Sequence, residues 1–215
     1  MKISFHNSIE EISKKEWDSL LNDTNYPFLK HEFLSLLENT SCVGAKTGWI
    51  PLHITITRES SLLAAMPLYL KSHSQGEFVF DHSWANAFYQ HGLDYYPKLV
   101  SSIPHTPASG PRLLIREGEN KKELFEMIKE GVKNIAAKNN ISSWHILFPK
   151  EDEVDFYDNS NLSIRKNAQF IWFNENFKSF EDYINSFRAR HRKNVKKERD
   201  KIKKQELIIE TFSGE

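Results

Sequence analysis

At 215 residues, 39% hydrophobic and 13% aromatic, the chain is long enough for a sizeable core and too apolar to be disordered. No apolar run approaches the ~18 residues of a membrane helix, no charged-then-apolar leader is expected at Met1, and a lone cysteine excludes an intramolecular disulfide or a cysteine-rich zinc site. The net charge of zero hides an asymmetry: Arg188 to Lys204 holds ten bases against two acids, a local balance of +8 on a body of −8, which suggests a partner for that segment. Cys42 reads as a small buried hydrophobe, and a reducing cytoplasm is the expected setting.

In chain order, Ile3 and Phe5 alternate with polar residues as a short strand. Ser13 with Glu16 three positions on forms a capping-box signature for a helix carrying Trp17, Leu20 and Leu21. A second helix is predicted from Pro27 to Glu38. Trp49 to Thr57 and Leu62 to Leu70 read as two antiparallel strands around the turn Glu59-Ser60-Ser61. Residues 85 to 111, with four prolines and three tyrosines, are predicted as an irregular, functional or mobile stretch. A strand over Arg112 to Arg116 follows, then a helix over 121 to 138 with Leu124, Phe125, Ile128, Val132 and Ile135 on one face, closed by Asn139-Asn140. Ser143 to Phe148 reads as a strand, the acids after Pro149 as a short helix, and Phe170 to Phe173 as a strand. A long basic helix carries the thin apolar stripe Phe180, Ile184, Phe187, His191, Val195 and Ile202, and Leu207 to Phe212 reads as a final strand.

The run Lys71 to Trp84, KSHSQGEFVFDHSW, is the densest in chemistry. It mixes Lys71, His73, Gln75, Glu77, Asp81 and His82 with Phe78, Val79, Phe80 and Trp84, as a cleft wall does. Pro67 to Trp84, then Tyr95-Tyr-Pro-Lys-Leu99, then Thr106 to Leu114 resemble the FemAB-like family of N-acyltransferases, labelled as peptidoglycan biosynthesis or recognition proteins. Ser186 to Arg199 is similar to the basic helix that follows that family's first domain. The order of elements is also that of a GNAT-type acyltransferase. The resemblance implies an α/β fold with a mixed, largely antiparallel central sheet flanked by helices. It also implies two GNAT-like domains in a cytoplasmic bacterial protein. On that basis residues 1–178 are expected to form the first domain, 179–206 the basic connecting helix, and 207–215 the first strand of a second domain, the chain being a fragment.

N-acyl transfer needs a base for the amine, a grip on the donor and a stabilised oxyanion. The candidate bases are His73, Asp81 and His82. Lys71 and Arg112 are candidates for holding a phosphate or carboxylate, and Gln75, Trp84, Tyr95 and Tyr96 for contacting substrate. Arg188, Arg190, Arg192, Lys193, Lys196 and Lys197 can track a polyanion, such as the RNA of an aminoacyl-tRNA donor. The donor stays open between aminoacyl-tRNA and acyl-CoA, and the acceptor is an amine. The Gly-rich R/Q-x-x-G-x-G/A pyrophosphate loop, GxSxG, HExxH, P-loop and dinucleotide motifs are absent from the sequence, and no metal or other cofactor is expected. The alternatives are a binding module without chemistry, for a cell-wall precursor or RNA, and an inactive truncated remnant.

Overall fold

Alternation of apolar and polar residues along 49–71 builds one long bent hairpin rather than two plain strands. In the computed structural model, which describes residues 1–21, 26–166, 168, 170–205, 207, 208 and 210–212, each arm divides in two. The first gives β2 (Trp49–Pro51) and β3 (His53–Arg58), and the second β4 (Ser61–Met66) and β5 (Tyr69–Lys71). Pro67 has no N–H to donate, so the ladder stops there and resumes in a second sheet. The amide of Leu52 donates to the carbonyl of Leu68 at 2.8 Å and bridges the two breaks. Glu59 and Ser60 both take positive φ (49° and 70°), as a two-residue type I′ turn requires.

With β1 (Lys2–His6), β6 (Lys98–Ser101), β7 (Leu114–Ile115) and β8 (Trp144–Ile146), the strands make two four-stranded sheets, β1-β3-β4-β7 and β2-β5-β6-β8. Five of the six pairings are antiparallel and one, β6 with β8, is parallel. A parallel pair needs a crossover, and the helix Lys121–Lys138 supplies it. The fold is therefore the mixed, largely antiparallel α/β class expected.

The helices are α1 (Lys14–Ser19), α2 (His31–Asn39), α3 (His82–Gln90), α4 (Lys121–Lys138), α5 (Val154–Asp158), α6 (Phe180–Asn185) and α7 (Ala189–Lys203). Ser13 caps α1 as its sequence predicts, accepting from Glu16 N at 3.4 Å, while the Glu16 carboxylate turns outward to the Leu62 amide. On one face of the sheet, Trp17, Leu20, Leu29 and Leu34 bury against Leu62, Ala65 and Leu114. On the other, Leu124, Phe125, Ile128 and Val132 of α4 bury against Ile54, Ile56 and Ala64. At Gly131 the helix comes so close that an added Cβ would stand 3.4 Å from Ile3.

Four expectations differ from the structure. Residues 85–111 contain regular elements, most of α3 and all of β6, because Asp81 and Tyr95 anchor that stretch to the core. Cys42 is exposed, in the turn beyond α2, where Thr40 Oγ1 donates to its sulfur at 3.3 Å. Phe170 to Phe173 carries no strand. Its four side chains are exposed, Phe170 fully so, and a strand needs a ladder partner. The strand expected over Leu207 to Phe212 is absent from the described residues there, Ile209 lying outside them.

The chain divides into two compact units, Met1–Ile164 and Arg165–Glu215. In the second, the single basic helix of the sequence reading is two helices, parted where Arg188 is extended. There Trp172, Phe177, Phe180, Tyr183 and Phe187 form a chain of ring contacts, the tightest being Tyr183–Phe187 at 4.9 Å. No helix among the described residues is long and apolar enough to cross a membrane.

Candidate functional site

Two lysines stand directly opposite each other across a strand pair, Lys71 on β5 and Lys98 on β6, and both are wholly buried. Like charges in that position repel, and two buried ammoniums require compensation. The chain supplies it within ten residues of Lys71. Lys98 Nζ donates to Asp81 Oδ2 at 2.5 Å, to Glu77 Oε2 at 2.8 Å and to Ser74 Oγ at 2.8 Å. The Tyr95 hydroxyl donates to the same Asp81 oxygen at 2.7 Å, and Tyr96 shares a 2.7 Å hydrogen bond with Ser74. Lys71 Nζ donates to the Gln75 carbonyl at 3.1 Å and lies 3.8 Å from the centre of the Trp49 ring.

The titrations follow from this burial. Burial, helped by the Lys98 charge and opposed by Glu77, lowers Lys71 to about 8. Burial raises Glu77 against the pull of Lys98. Asp81 is lowered: burial pushes it up, but the hydrogen bonds from Lys98, Tyr95 and Ser74 outweigh that push. Glu77 keeps Oε1, Asp81 keeps Oδ1 and Trp49 keeps Nε1 without a partner among the described residues.

Above this network runs the outer face of the segment. His73 lies over Gly48, where an added Cβ would stand 2.4 Å from the imidazole Nε2, so only glycine admits the ring. The Gln75 amide donates to His73 Nδ1 at 3.2 Å. That bond occupies the Nδ1 lone pair and leaves the neutral ring's proton on Nε2, making His73 a donor. Burial, then the Lys71 charge, lowers its pKa. His82 is exposed in the first turn of α3, and Trp84, 46% exposed, has its ring 6.5 Å from that of His145 on β8.

The structure thus brings Lys71, Asp81, Tyr95 and Tyr96 into one buried cluster and sets His73, Gln75, His82 and Trp84 along its surface segment. Arg112 is not among them. It lies at the opposite end of the parallel pair, wholly buried, donating to the carbonyls of Leu147 (2.7 Å), Ala108 (2.5 Å) and Pro111 (3.4 Å). Its pKa is lowered to about 10 by burial. The six basic residues of the polyanion group lie at Arg188 and along α7, exposed or half-buried, and Lys196 pairs with Glu181 at 2.6 Å.

Sequence reasoning missed Lys98 as a site residue, together with the partner roles of Ser74 and Glu77. A signal existed: Lys98 sits inside the apolar run Tyr95-Tyr-Pro-Lys-Leu-Val100, where a lysine needs a buried partner. Two surface depressions, of about 520 and 180 Å³, are lined by none of the residues from Lys71 to Trp84.

The fold is a mixed α/β domain with a helix-bridged parallel pair and a buried lysine–carboxylate cluster. The family model described as FemAB-like peptidoglycan biosynthesis/recognition matches residues 8–215, and the chain belongs to that family. No curated protein matches the chain significantly. Among solved structures it is similar to the aminoglycoside 6′-N-acetyltransferase AAC(6′)-Ig of Acinetobacter haemolyticus, at 10% identity and a TM-score of 0.46 over 83% of this chain and 100% of that one. It is also similar to a ribosomal-protein-alanine N-acetyltransferase of Brucella melitensis (11%, 0.48, 80% and 100%). A third is glucosamine-6-phosphate N-acetyltransferase of Arabidopsis thaliana (11%, 0.43, 80% and 99%). At such values the activities named for those proteins do not carry over to this chain.

Proposed function

We propose that this chain serves N-acyl transfer in cell-wall precursor metabolism, moving an acyl or aminoacyl group onto an amine. The observation that carries this reading is the family match over residues 8–215. The amine attacks the donor carbonyl, the C–N bond forms, the oxyanion collapses, and the donor's leaving group departs as the amine proton passes to a base. His82, exposed at the start of α3, is the base proposed. His73, whose Nδ1 accepts from the Gln75 amide and whose Nε2 end lies over Gly48, holds the turn of the 71–84 segment. Gln75 and Trp84 contact substrate, and the Asp81–Lys98 cluster, with Lys71, Tyr95 and Tyr96, holds the segment from beneath. The basic residues Arg188 to Lys197 meet a polyanionic donor such as aminoacyl-tRNA, with acyl-CoA as the other donor class.

One feature bears against the CoA class. The first turn of α4 is capped by its own Asn120, which accepts from Lys122 N and Glu123 N at 3.1 and 3.2 Å, with Glu117, Glu119 and Glu123 nearby in sequence. Asn120 already takes those amides, and the acidic surround opposes an anion there.

Mass spectrometry of a peptidoglycan-precursor amine incubated with either donor class tests the reading. An acylated product is expected, with His82→Ala lowering turnover about a hundredfold or more. No product from either donor would overturn it. A second reading, a binding module without chemistry, is favoured by the burial of Asp81 and would show as salt-dependent tRNA binding with no transfer.

A further inference from the structure

On the far side of the parallel pair from Lys98, past the carboxyl end of β8 where Lys150 lies, the two depressions share part of their lining. Both are lined by Tyr26 and Lys150. The inner one, about 180 Å³, has an apolar lining that includes Leu21, Leu113 and Ile115, with Lys121 and Lys150 as its charged groups. The outer, open one adds Ser109, Glu151 and Asp152. The carboxyl ends of parallel strands are where α/β sheets commonly take ligands.

The two depressions differ in charge: the inner one is lined by Lys121 and Lys150, and the outer one by Lys150, Glu151 and Asp152. Lys121 is held at 2.8 Å by Glu153, whose second oxygen is buried and unpartnered among the described residues. Lys150 has its ammonium 5.1 Å from the centre of the Tyr26 ring. Glu151 and Asp152 are exposed carboxylates. Beneath the floor, Arg112 is buried and bonded to backbone carbonyls. A simple anion would meet the outer acids, and a simple cation would meet Lys150. A molecule with an apolar chain and, at one end of it, a carboxylate and an ammonium together finds a partner for each part.

We propose that this groove binds a small zwitterion with an apolar chain, a free amino acid of the leucine or norleucine type. The chain lies on Leu21, Leu113 and Ile115, the carboxylate at Lys150 and the ammonium at Glu151 and Asp152. The inner recess, about 180 Å³, has room for an aliphatic side chain of that size. The site lies apart from Lys71 to Trp84 and does not depend on the acyl-transfer reading.

Titration calorimetry of the full chain with norleucine, hexanoate and hexylamine separates the parts. Norleucine is expected to bind saturably and the other two more weakly. Lys150→Ala is expected to weaken norleucine and hexanoate about three- to fivefold and to leave hexylamine unweakened. Glu151→Gln with Asp152→Asn is expected to weaken norleucine and hexylamine and spare hexanoate. Leu21→Trp, which fills the recess, is expected to abolish all three while circular dichroism stays unchanged. The proposal is overturned if norleucine shows no saturable binding to the wild type. It is equally overturned if hexanoate binds as well as norleucine, or if the charge variants change nothing.

Discussion

Two lysines with carboxylate contacts of similar length do different things in this molecule. Lys98 meets Glu77 at 2.8 Å and Asp81 at 2.5 Å with all three side chains no more than 2% exposed. In the second unit Lys196 meets Glu181 at 2.6 Å with both side chains about half exposed. Distance alone would rank them together. Burial separates them: the exposed pair is hydrated and screened, whereas the buried lysine is the compensation for two carboxylates out of water. One basic group organises a fold, and the other stays in contact with water.

The largest expected effect that sharpens this contrast is Lys98→Met. It strands two buried carboxylates and should cost about 3–5 kcal/mol, read by urea unfolding. Adding Glu77→Gln and Asp81→Asn should restore part of that loss, because the uncompensated charges disappear. A loss under about 1 kcal/mol would place Lys98 with Lys196. Next comes Arg112→Met, which leaves the carbonyls of Leu147 and Ala108 without their donor. It should cost about 2–3 kcal/mol in the same measurement. Arg112→Lys should recover little of it, since one ammonium does not reproduce the guanidinium fork.

A pH experiment separates Lys71 from the exposed cations. Its folded pKa of about 8 lies below the ordinary 10.5, so between those values the unfolded chain binds more protons. Stability from this group therefore rises as pH goes from about 8 to 10.5, and lies at its minimum below 8. Lys71→Met should flatten that rise in unfolding free energy, while Lys196→Met should leave the slope unchanged. The smallest effect is Lys196→Ala itself, about 0.5 kcal/mol or less in thermal unfolding.

Local patterns revealed the helix 121–138, the Ser13 cap of α1, though not the reciprocal Glu16 bond of a capping box, and the hairpin around Glu59. They did not reveal the division of each arm between two sheets, because Pro67 reads locally as an ordinary interruption and its effect depends on which strand lies beside it. The site was half legible. The segment 71–84 stood out by composition, but the pairing of Lys71 with Lys98 is a cross-strand register, invisible without the intervening fold. Asp81 looked like a free base for the same reason: its two donors, Lys98 and Tyr95, lie 17 and 14 residues away. Arg112 looked like an anion-binding residue because a sequence does not show that carbonyls surround it. The groove at Tyr26 and Lys150 draws on distant segments, and no local signal marks it.

The central claim is that the 71–84 segment is a surface held in place by the ion cluster beneath it. Amide hydrogen exchange of the wild type against Lys98→Met, under conditions where both are folded, tests it most directly. Protection should fall across Ser72 to Gln90 and hold in α4. Unchanged exchange in Ser72 to Gln90, or an equal loss in α4, would contradict it.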